Sequence, residues 1–378
     1  MPTDRETQDL LILHRRTAGH PALLARLLHD FGNATAVRRE ATPDLLTAMG
    51  TPPAAVASIC DPVDRHWERR AEKDLRWLSS SSHHLVDQSS PCYPERLREI
   101  HNAPPLLFCD GNIDLLSSIQ VAMVGSRKMS ATGRKVANML AADLCRAGAT
   151  VTSGLARGID AASHEGALSA SGQTIAVLGT GCDRIYPAVN QRLAADIRAR
   201  GGLIVSEFPL GTGPRDYHFP RRNRIVTGMS VGVVVVEAAL RSGSLISARL
   251  AMEQGREVFA VPGSVLNPLT EGCHRLIRDG AKLTASVTDI VEELTGIVAV
   301  PGSGEDPMAS LDETARRMVE LLGEEPKSVD SLVEACGLAV TDVLTLLTDL
   351  EIDGLVAAAP GGYCLSSTCL HRLMGSRT

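Results

Sequence analysis

The sequence predicts an α/β protein with an extended Rossmann-like core, a doubly wound and mostly parallel sheet between a small all-α domain and a winged-helix domain. Three observations support this fold class. Apolar runs alternate with amphipathic segments through residues 120–261, leucines recur at helical spacing through residues 1–60, and three helical patterns precede a glycine-turned hairpin in residues 354–365. Apolar runs without polar alternation are typical of parallel strands covered on both faces.

The first domain, residues 1–69, is predicted to be a bundle of short helices that is SAM-like or helix-hairpin-helix-like. The breaks Gly19-His20-Pro21 and Phe31-Gly32-Asn33 interrupt its helical leucine pattern. Residues 1–114 carry a net charge of −3. This balance favours packing or protein contact, and a role in binding the DNA backbone stays open.

The second domain, residues 70–297, is predicted to be the Rossmann-like core. Its predicted strands are 121–124, 150–153, 174–178, 203–206, 231–236 and 258–261. Its predicted helices are 131–147, 159–170, 191–200, 244–253 and 272–279. Repeated strand and helix units of this kind indicate a doubly wound sheet.

The last domain, residues 311–370, follows a linker at 298–310 that contains Pro301-Gly302-Ser303-Gly304. Three helices and a hairpin make a winged helix, a fold that commonly places its third helix in the DNA major groove. Here the third helical pattern carries Asp342, Asp349 and Glu351 and no basic residue. Because these charges repel phosphate, we expect protein contact from this domain and not DNA reading.

The charge is distributed unevenly along the chain. The net charge of the whole chain is −6, yet residues 115–225 carry +7 and residues 301–378 carry −8. Exposed charges interact only within about 10 Å at moderate salt, so a phosphate chain responds to the local patch. The +7 segment therefore predicts an anion-binding surface, with a solvated helical surface as the alternative.

Glycine-containing turns follow three of the predicted strands. They are Gly125-Ser126-Arg127-Lys128, Gly154-Leu155-Ala156-Arg157-Gly158 and Gly179-Thr180-Gly181. Ligands of open α/β sheets bind at the carboxyl ends of strands, where glycine lets the backbone approach a phosphate and offer N–H donors. The alternative is that the glycines only make tight turns; Arg127 and Arg157 favour the phosphate site.

A second basic cluster follows the fourth predicted strand. It contains Phe219, Arg221, Arg222, Asn223 and Arg224. Pro220 suits the start of a helix, several of the guanidinium groups are expected to point outward, and Phe219 offers a face on which a base can stack. The alternative is a set of salt-bridged surface arginines, but Glu207 and Asp216 are too few to neutralise Arg215 and this set, so we predict contact with a nucleic acid strand.

Several enzyme classes lack their motifs here. Residues 125–130 do not supply the second and third glycines of a dinucleotide fingerprint, and the chain has neither a Walker loop, a Gly-x-Ser-x-Gly elbow nor a metal-spaced histidine cluster. We predict no cofactor, no metal and no catalytic residue. The open alternative is a nucleotide-acting enzyme of the phosphoribohydrolase kind, whose Pro-Gly-Gly-x-Gly-Thr-x-x-Glu loop is missing at 241–244 and 261–264.

The compartment is predicted from the cysteines and the N terminus. The nine cysteines are scattered and show no Cys-x-x-Cys spacing, which suits a reducing cytosol. The first ten residues are too charged for a signal peptide, and no run approaches the ~18 apolar residues that span a bilayer. We expect a cytoplasmic protein without a membrane segment.

A set of short motifs, in order across residues 85–295, resembles the bacterial DNA processing protein A family (DprA, also called Smf). The motifs are Gly125-Ser126-Arg127, residues 153–160, Tyr186-Pro187, residues 206–209, residues 219–225, residues 235–238, residues 242–246 and residues 258–263. The helical domain and the winged helix are also similar to longer members of that family.

The resemblance implies a homodimeric binder of single-stranded DNA that protects incoming strands during natural transformation and loads the RecA recombinase. The DNA-binding residues that we predict from the turns, the basic cluster and the resemblance are Gly125, Ser126, Arg127, Lys128, Arg157, Arg192, Phe219, Arg221, Arg222, Asn223 and Arg224. Two positions depart from the family pattern. Gln191 stands where a lysine is common, so Arg192 is the candidate for its charge, and His274 stands where asparagine is common.

Overall fold

The computed structural model describes residues 4–17, 20–61, 65–294, 311–323, 325–352 and 355–366. The chain forms two compact units, Met1–Ala299 and Val300–Thr378, and each is described by itself. The predicted linker at 298–310 and the last residues of the predicted winged-helix domain, 367–370, lie outside the described residues.

The first unit begins with six helices. They are α1 (Asp4–Arg16), α2 (Pro21–Phe31), α3 (Ala34–Glu40), α4 (Pro43–Ala48), α5 (Pro53–Ile59) and α6 (Arg65–Leu78). Local chemistry explains several of the starts. Asn33 caps α3 by accepting a hydrogen bond from Ala36 N, Thr42 caps α4, and proline occupies the first turn of three helices, where its missing N–H costs nothing.

The remainder of the first unit alternates strands and helices. In chain order it contains β1 (His83–Asp87), α7 (Glu95–Arg98), β2 (Leu106–Gly111), β3 (Gln120–Val124), α8 (Ala131–Arg146), β4 (Thr150–Ser153), α9 (Ile159–Ser169), β5 (Thr174–Val177), α10 (Gln191–Ala199), β6 (Leu203–Ser206), α11 (His218–Met229), β7 (Gly232–Val235), α12 (Ser244–Glu253), β8 (Glu257–Ala260), α13 (Glu271–Arg278), β9 (Lys282–Leu283) and α14 (Thr288–Val291).

These strands form one sheet in the order β1-β2-β6-β5-β4-β3-β7-β8-β9. The strands β3 to β9 pair in parallel, whereas β1 and β2 are antiparallel additions beside β6. The mostly parallel α/β class that the sequence predicted is therefore confirmed. Strands β1, β2 and β9 were not predicted, and the edge strands β1 and β9 carry polar or exposed residues in place of a buried apolar run.

The helices at the start of the chain pack directly on the sheet. Leu11 and Ile12 of α1 and Ala71 of α6 share a buried apolar cluster with Phe108 of β2 and Ile204 of β6. Helix α6 runs through position 69/70, where the sequence analysis ended the first domain. The predicted domain boundaries stay a prediction. In the structure, the predicted first domain and the sheet that follows it belong to one compact unit.

A buried ion pair joins α1 to α6. Arg15 donates to Asp74 through Nε and Nη2 at 2.8 and 2.6 Å, and Nη2 also reaches the carbonyl of Leu210 at 3.1 Å. Burial raises the pKa of the Asp74 carboxyl, and Arg15 opposes that shift. The pair satisfies both charges where water is excluded.

The second unit is the predicted winged helix. It contains α15 (Glu313–Leu321), α16 (Val329–Cys336), α17 (Val340–Ile352), β10 (Val356–Ala359) and β11 (Gly362–Leu365). Met318, Leu332 and Leu347, one from each helix, are fully buried in its core. Within the described residues, no single helix is long and apolar enough to span a membrane. Helix α16 together with Val340–Glu351 meets the length and composition criteria for a span only as a pair that is bent at the break between the two helices.

Candidate nucleic-acid interface

The turns after β3 and β4 lie against each other at the carboxyl edge of the sheet. Ile159 N donates to the carbonyl of Ser126 at 3.1 Å, which joins the two turns through their backbones. Gly158 has a φ of 81°, and a Cβ at this position would lie 2.1 Å from the same carbonyl oxygen. Only glycine permits this approach, because any side chain would separate the turns.

Asp160 fixes the shape of the second turn. Its Oδ2 accepts hydrogen bonds from Gly154 N at 3.2 Å and Ala156 N at 3.3 Å. Burial raises the pKa of this carboxyl, and the nearby Arg222 guanidinium opposes the shift. These two N–H groups are therefore already used inside the protein, so this turn offers fewer backbone donors to a phosphate than the sequence analysis expected.

The first turn presents two cations. Ser126 is buried and its Oγ accepts from Lys128 N at 3.1 Å, while the side chains of Arg127 and Lys128 are exposed. Just beyond, Ser130 caps α8 and its N–H donates to Glu237 Oε2 at 2.9 Å. A buried carboxylate from the end of β7 thus holds the turn whose basic side chains face solvent.

Phe219 forms the aromatic centre of the site. The guanidinium carbon of Arg127 lies 5.5 Å from the centroid of the Phe219 ring, and the Tyr186 ring lies 5.6 Å from it with an interplanar angle of 32°. Phe219 packs so closely on Gly179 that a Cβ there would lie 2.9 Å from the ring. Tyr186 is 47% exposed and was missing from the predicted site, although it belongs to a quoted motif.

Arg222 does not point outward, which corrects an expectation from the sequence. It is 4% exposed, and its Nη1 donates to the carbonyls of Gly154 and Val177, which follow β4 and end β5. Its Nε donates to Asn223 Oδ1 at 3.2 Å. Burial lowers its pKa to about 10, so it remains charged at neutral pH. Arg222 therefore connects the ends of β4 and β5. It supplies the donors that these buried backbone carbonyls need.

Arg221 and Arg224 share one buried carboxylate, which also corrects the outward orientation expected from the sequence. Glu207 Oε2 accepts from Arg221 Nη2 at 2.9 Å and from Arg224 Nη2 at 2.6 Å, and the Glu207 side chain is 1% exposed. The Arg221 guanidinium also lies 5.2 Å from the centroid of the Phe208 ring. Glu207 can bond both arginines because they lie one helical turn apart, while its single negative charge leaves the group with a net positive charge.

Arg157 and Arg192 are two further exposed cations on segments that adjoin these turns. Arg157 lies in the second turn beside Gly158, and Arg192 lies in the first turn of α10. Asn190 ties these segments together, since its Nδ2 donates to the carbonyls of Leu155 and Ala156 at 2.9 and 3.1 Å. Among the described residues, Arg127, Lys128, Arg157 and Arg192 form no ion pair with a carboxylate.

The two departures from the family pattern lie in different places. Gln191 is exposed at the start of α10, directly beside Arg192. The His274 ring shares a hydrogen bond with the carbonyl of Gly263, with Nε2 and the oxygen 2.9 Å apart. His274 therefore makes its contact within the protein, in the loop that follows β8.

Family models match both parts of the chain. A model of DNA recombination-mediator protein A matches residues 84–295, and a model of the DprA winged helix domain matches residues 304–362. Among similar proteins, Protein Smf of Escherichia coli (strain K12) is 47% identical over 306 residues, which cover 79% of this chain and 82% of that protein. DNA processing protein DprA of Streptococcus pneumoniae is 50% identical over 202 residues, covering 53% and 71% of the two chains.

Solved structures show the same similarity. The X-ray structure of DNA processing protein A from Streptococcus pneumoniae has a TM-score of 0.64 and 39% identity, covering 75% of this chain and 96% of that one. A structure of DNA processing protein A from Helicobacter pylori, described for its single-stranded DNA binding mode, has a TM-score of 0.51 and 29% identity, covering 56% and 94%.

Proposed function

Because the chain belongs to the DNA recombination-mediator protein A family (DprA/Smf), we propose that it binds single-stranded DNA and acts in DNA processing during natural transformation. The observation that carries the proposal is the group of exposed cations, Arg127, Lys128, Arg157 and Arg192, around the aromatic pair of Phe219 and Tyr186. Proteins that bind single strands commonly combine positively charged side chains with aromatic side chains on which the bases stack.

The proposed binding tolerates many sequences. Guanidinium and ammonium groups contact phosphates, which are the same at every nucleotide, and an aromatic ring stacks on any base. Arg127 is exposed and lies over the Phe219 ring, so a cation and an aromatic ring are adjacent at this edge. A strand crossing this edge can therefore place a base near Phe219 and its flanking phosphates near the turns.

The finer parts of the proposal rest on the family resemblance. We propose that the protein protects incoming single strands, loads the RecA recombinase onto them and acts as a homodimer in the cytoplasm. We also propose that it does so without catalysing a reaction. Release of adenine from adenosine monophosphate by the purified protein would contradict this last point and favour the phosphoribohydrolase alternative.

The binding test uses Arg127→Ala and a fluorescent oligothymidine, with affinity measured by anisotropy across a salt series. Four exposed cations that each neutralise one phosphate predict a log–log salt slope of about −3 for the wild type. Arg127→Ala should weaken binding about fivefold to tenfold and make the slope shallower by about 0.7, because one phosphate contact is lost.

The matched control is Arg146→Ala. Arg146 is exposed, pairs with Asp143 and lies at the end of α8 that is distant from the carboxyl edge of the sheet. Its removal changes the net charge equally and should leave both affinity and slope unchanged. If the two variants lose the same oligothymidine affinity, the binding site does not lie at this edge of the sheet. If the wild type does not bind the oligonucleotide, the proposal is overturned.

A further inference from the structure

A cleft of about 590 Å³ lies beside the candidate interface, between the first helices of the chain and the start of α11. His20, Arg26 and Gly50 line it from the helical side, and Arg221 and Arg224 line it from α11. All of these residues belong to one compact unit. None of the DNA-binding residues predicted from the sequence lies on the helical side of it.

Arg224, one of the residues that line the cleft, has a donor without a partner among the described residues. Arg224 lines the cleft with a side chain that is only 10% exposed, and its Nη2 is bonded to Glu207. Its Nη1 is buried and has no hydrogen-bond partner among the described residues. A buried guanidinium N–H without an acceptor costs free energy, and a bound anion would satisfy it.

Arg26 faces the same space from α2. Its Nη2 donates to Thr51 Oγ1 at 3.2 Å, which orients an otherwise exposed side chain. A guanidinium carries five N–H donors, so most of those on Arg26 remain available to a ligand. The first turn of α2 also lines the cleft and has no capping side chain, which adds the partial positive charge of a helix N-terminus.

The charges in and behind the cleft leave an excess of positive charge. Arg26, Arg221 and Arg224 contribute three guanidinium groups, and Glu207 is the carboxylate bonded to two of them. Arginine in this arrangement suits the oxygens of a phosphate group. The cleft is therefore suited to a phosphate-bearing ligand.

Helix α11 connects the cleft to the aromatic centre. Phe219 and Arg221 are two residues apart, so they lie about 3 Å apart along the helix axis and about 200° apart around it. One side of the start of α11 therefore faces Arg127 and Gly179, and the other faces the cleft. A strand that passes the start of this helix can reach both.

We propose that the cleft binds a backbone phosphate of the same single strand, so that the DNA path continues from Phe219 onto the helical domain through Arg26. The inference rests on the proposed function and adds to it a contact by the first domain. It assigns Arg26 as a further DNA-binding residue.

The test compares Arg26→Ala, Arg26→Lys and Arg39→Ala in the full chain, using the same oligothymidine and salt series. Arg26→Ala should weaken binding about threefold to tenfold and make the salt slope shallower by about 0.7. Arg26→Lys should keep the wild-type slope, because it keeps the charge. Arg39 is an exposed arginine of the same domain that pairs with Glu40, so Arg39→Ala should behave as the wild type.

The outcomes separate this inference from the proposed function. If Arg127→Ala weakens binding while Arg26→Ala matches Arg39→Ala in affinity and slope, only the cleft contact is overturned. If the wild type binds no single-stranded DNA, both the cleft contact and the proposed function are overturned. Thymidine monophosphate is the second probe: if it binds in an Arg26-dependent manner while strand binding is unaffected by Arg26→Ala, the cleft is a separate nucleotide pocket and the proposed DNA path is wrong.

Discussion

The strand-end turns and helix α11 both carry arginine, and they use it in opposite ways. Arg127 and Arg157 in the turns are exposed, whereas Arg222 and Arg224 in α11 are buried against backbone carbonyls and a carboxylate. The turns stand at the carboxyl edge of the sheet, and their arginine side chains extend into solvent. Helix α11 lies against the strand ends, so its arginines face acceptors inside the protein.

The difference shows that arginine density in a sequence does not measure surface charge. In the turns, arginine supplies the potential that attracts phosphate. In α11, it supplies hydrogen bonds that hold the ends of β4, β5 and β6 in place. Substitution in the two regions should therefore affect different measurements, namely affinity in the first and stability in the second.

The largest effect is expected for Arg222→Met, which keeps an unbranched side chain but removes the hydrogen bonds to Gly154 and Val177. Buried carbonyls left without donors should lower the free energy of unfolding by about 3 kcal/mol. Urea unfolding of Arg222→Met beside Arg127→Ala measures this. Equal stability of the two variants would show that Arg222 has no structural role and would remove the contrast between the regions.

An intermediate effect is expected for Phe219→Leu, which preserves an apolar contact with Gly179 but removes the aromatic face. Loss of base stacking should weaken oligothymidine binding by about 1 to 3 kcal/mol without a matching loss of stability. Phe219→Tyr keeps the ring and should bind as the wild type does. If the leucine variant binds equally well, the ring does not stack on a base and the cations alone explain the affinity.

The smallest effect is expected for removal of residues 301–378. The third helix of the winged helix, α17, exposes Asp342, Asp349 and Glu351 together with Val340 and Leu344, a surface that suits a protein partner better than phosphate. Deletion should therefore change DNA affinity less than twofold at any salt concentration. A weakened complex would make the acidic domain part of the DNA site and contradict the division of roles.

The sequence predicted the central sheet and the winged helix well. Their signals are local, because a fully buried parallel strand such as β3 or β7 must be a continuous apolar run, and helix periodicity repeats every turn. The edge strand β1 was missed because its two histidines interrupt that signal at a position where burial on both faces is not required.

The direction of the side chains in α11 could not be predicted in the same way. Whether Arg222 faces solvent depends on the carbonyls of Gly154 and Val177, which lie 68 and 45 residues earlier in the chain. The role of Glu207 likewise depends on the packing of α11 over the end of β6. Periodicity gives the faces of a helix, but the fold decides which face meets an acceptor.

The pairing of Arg15 with Asp74 has a consequence for how the protein unfolds. Separating α1 from α6 and the sheet would expose the apolar surface around Phe108 and break a buried, doubly hydrogen-bonded ion pair. Both costs arise together, so the helical domain and the sheet gain their stability as one cooperative unit. A chain that begins at residue 70 would lack Arg15 and leave Asp74 as an unpaired charge at the surface where α1 was removed.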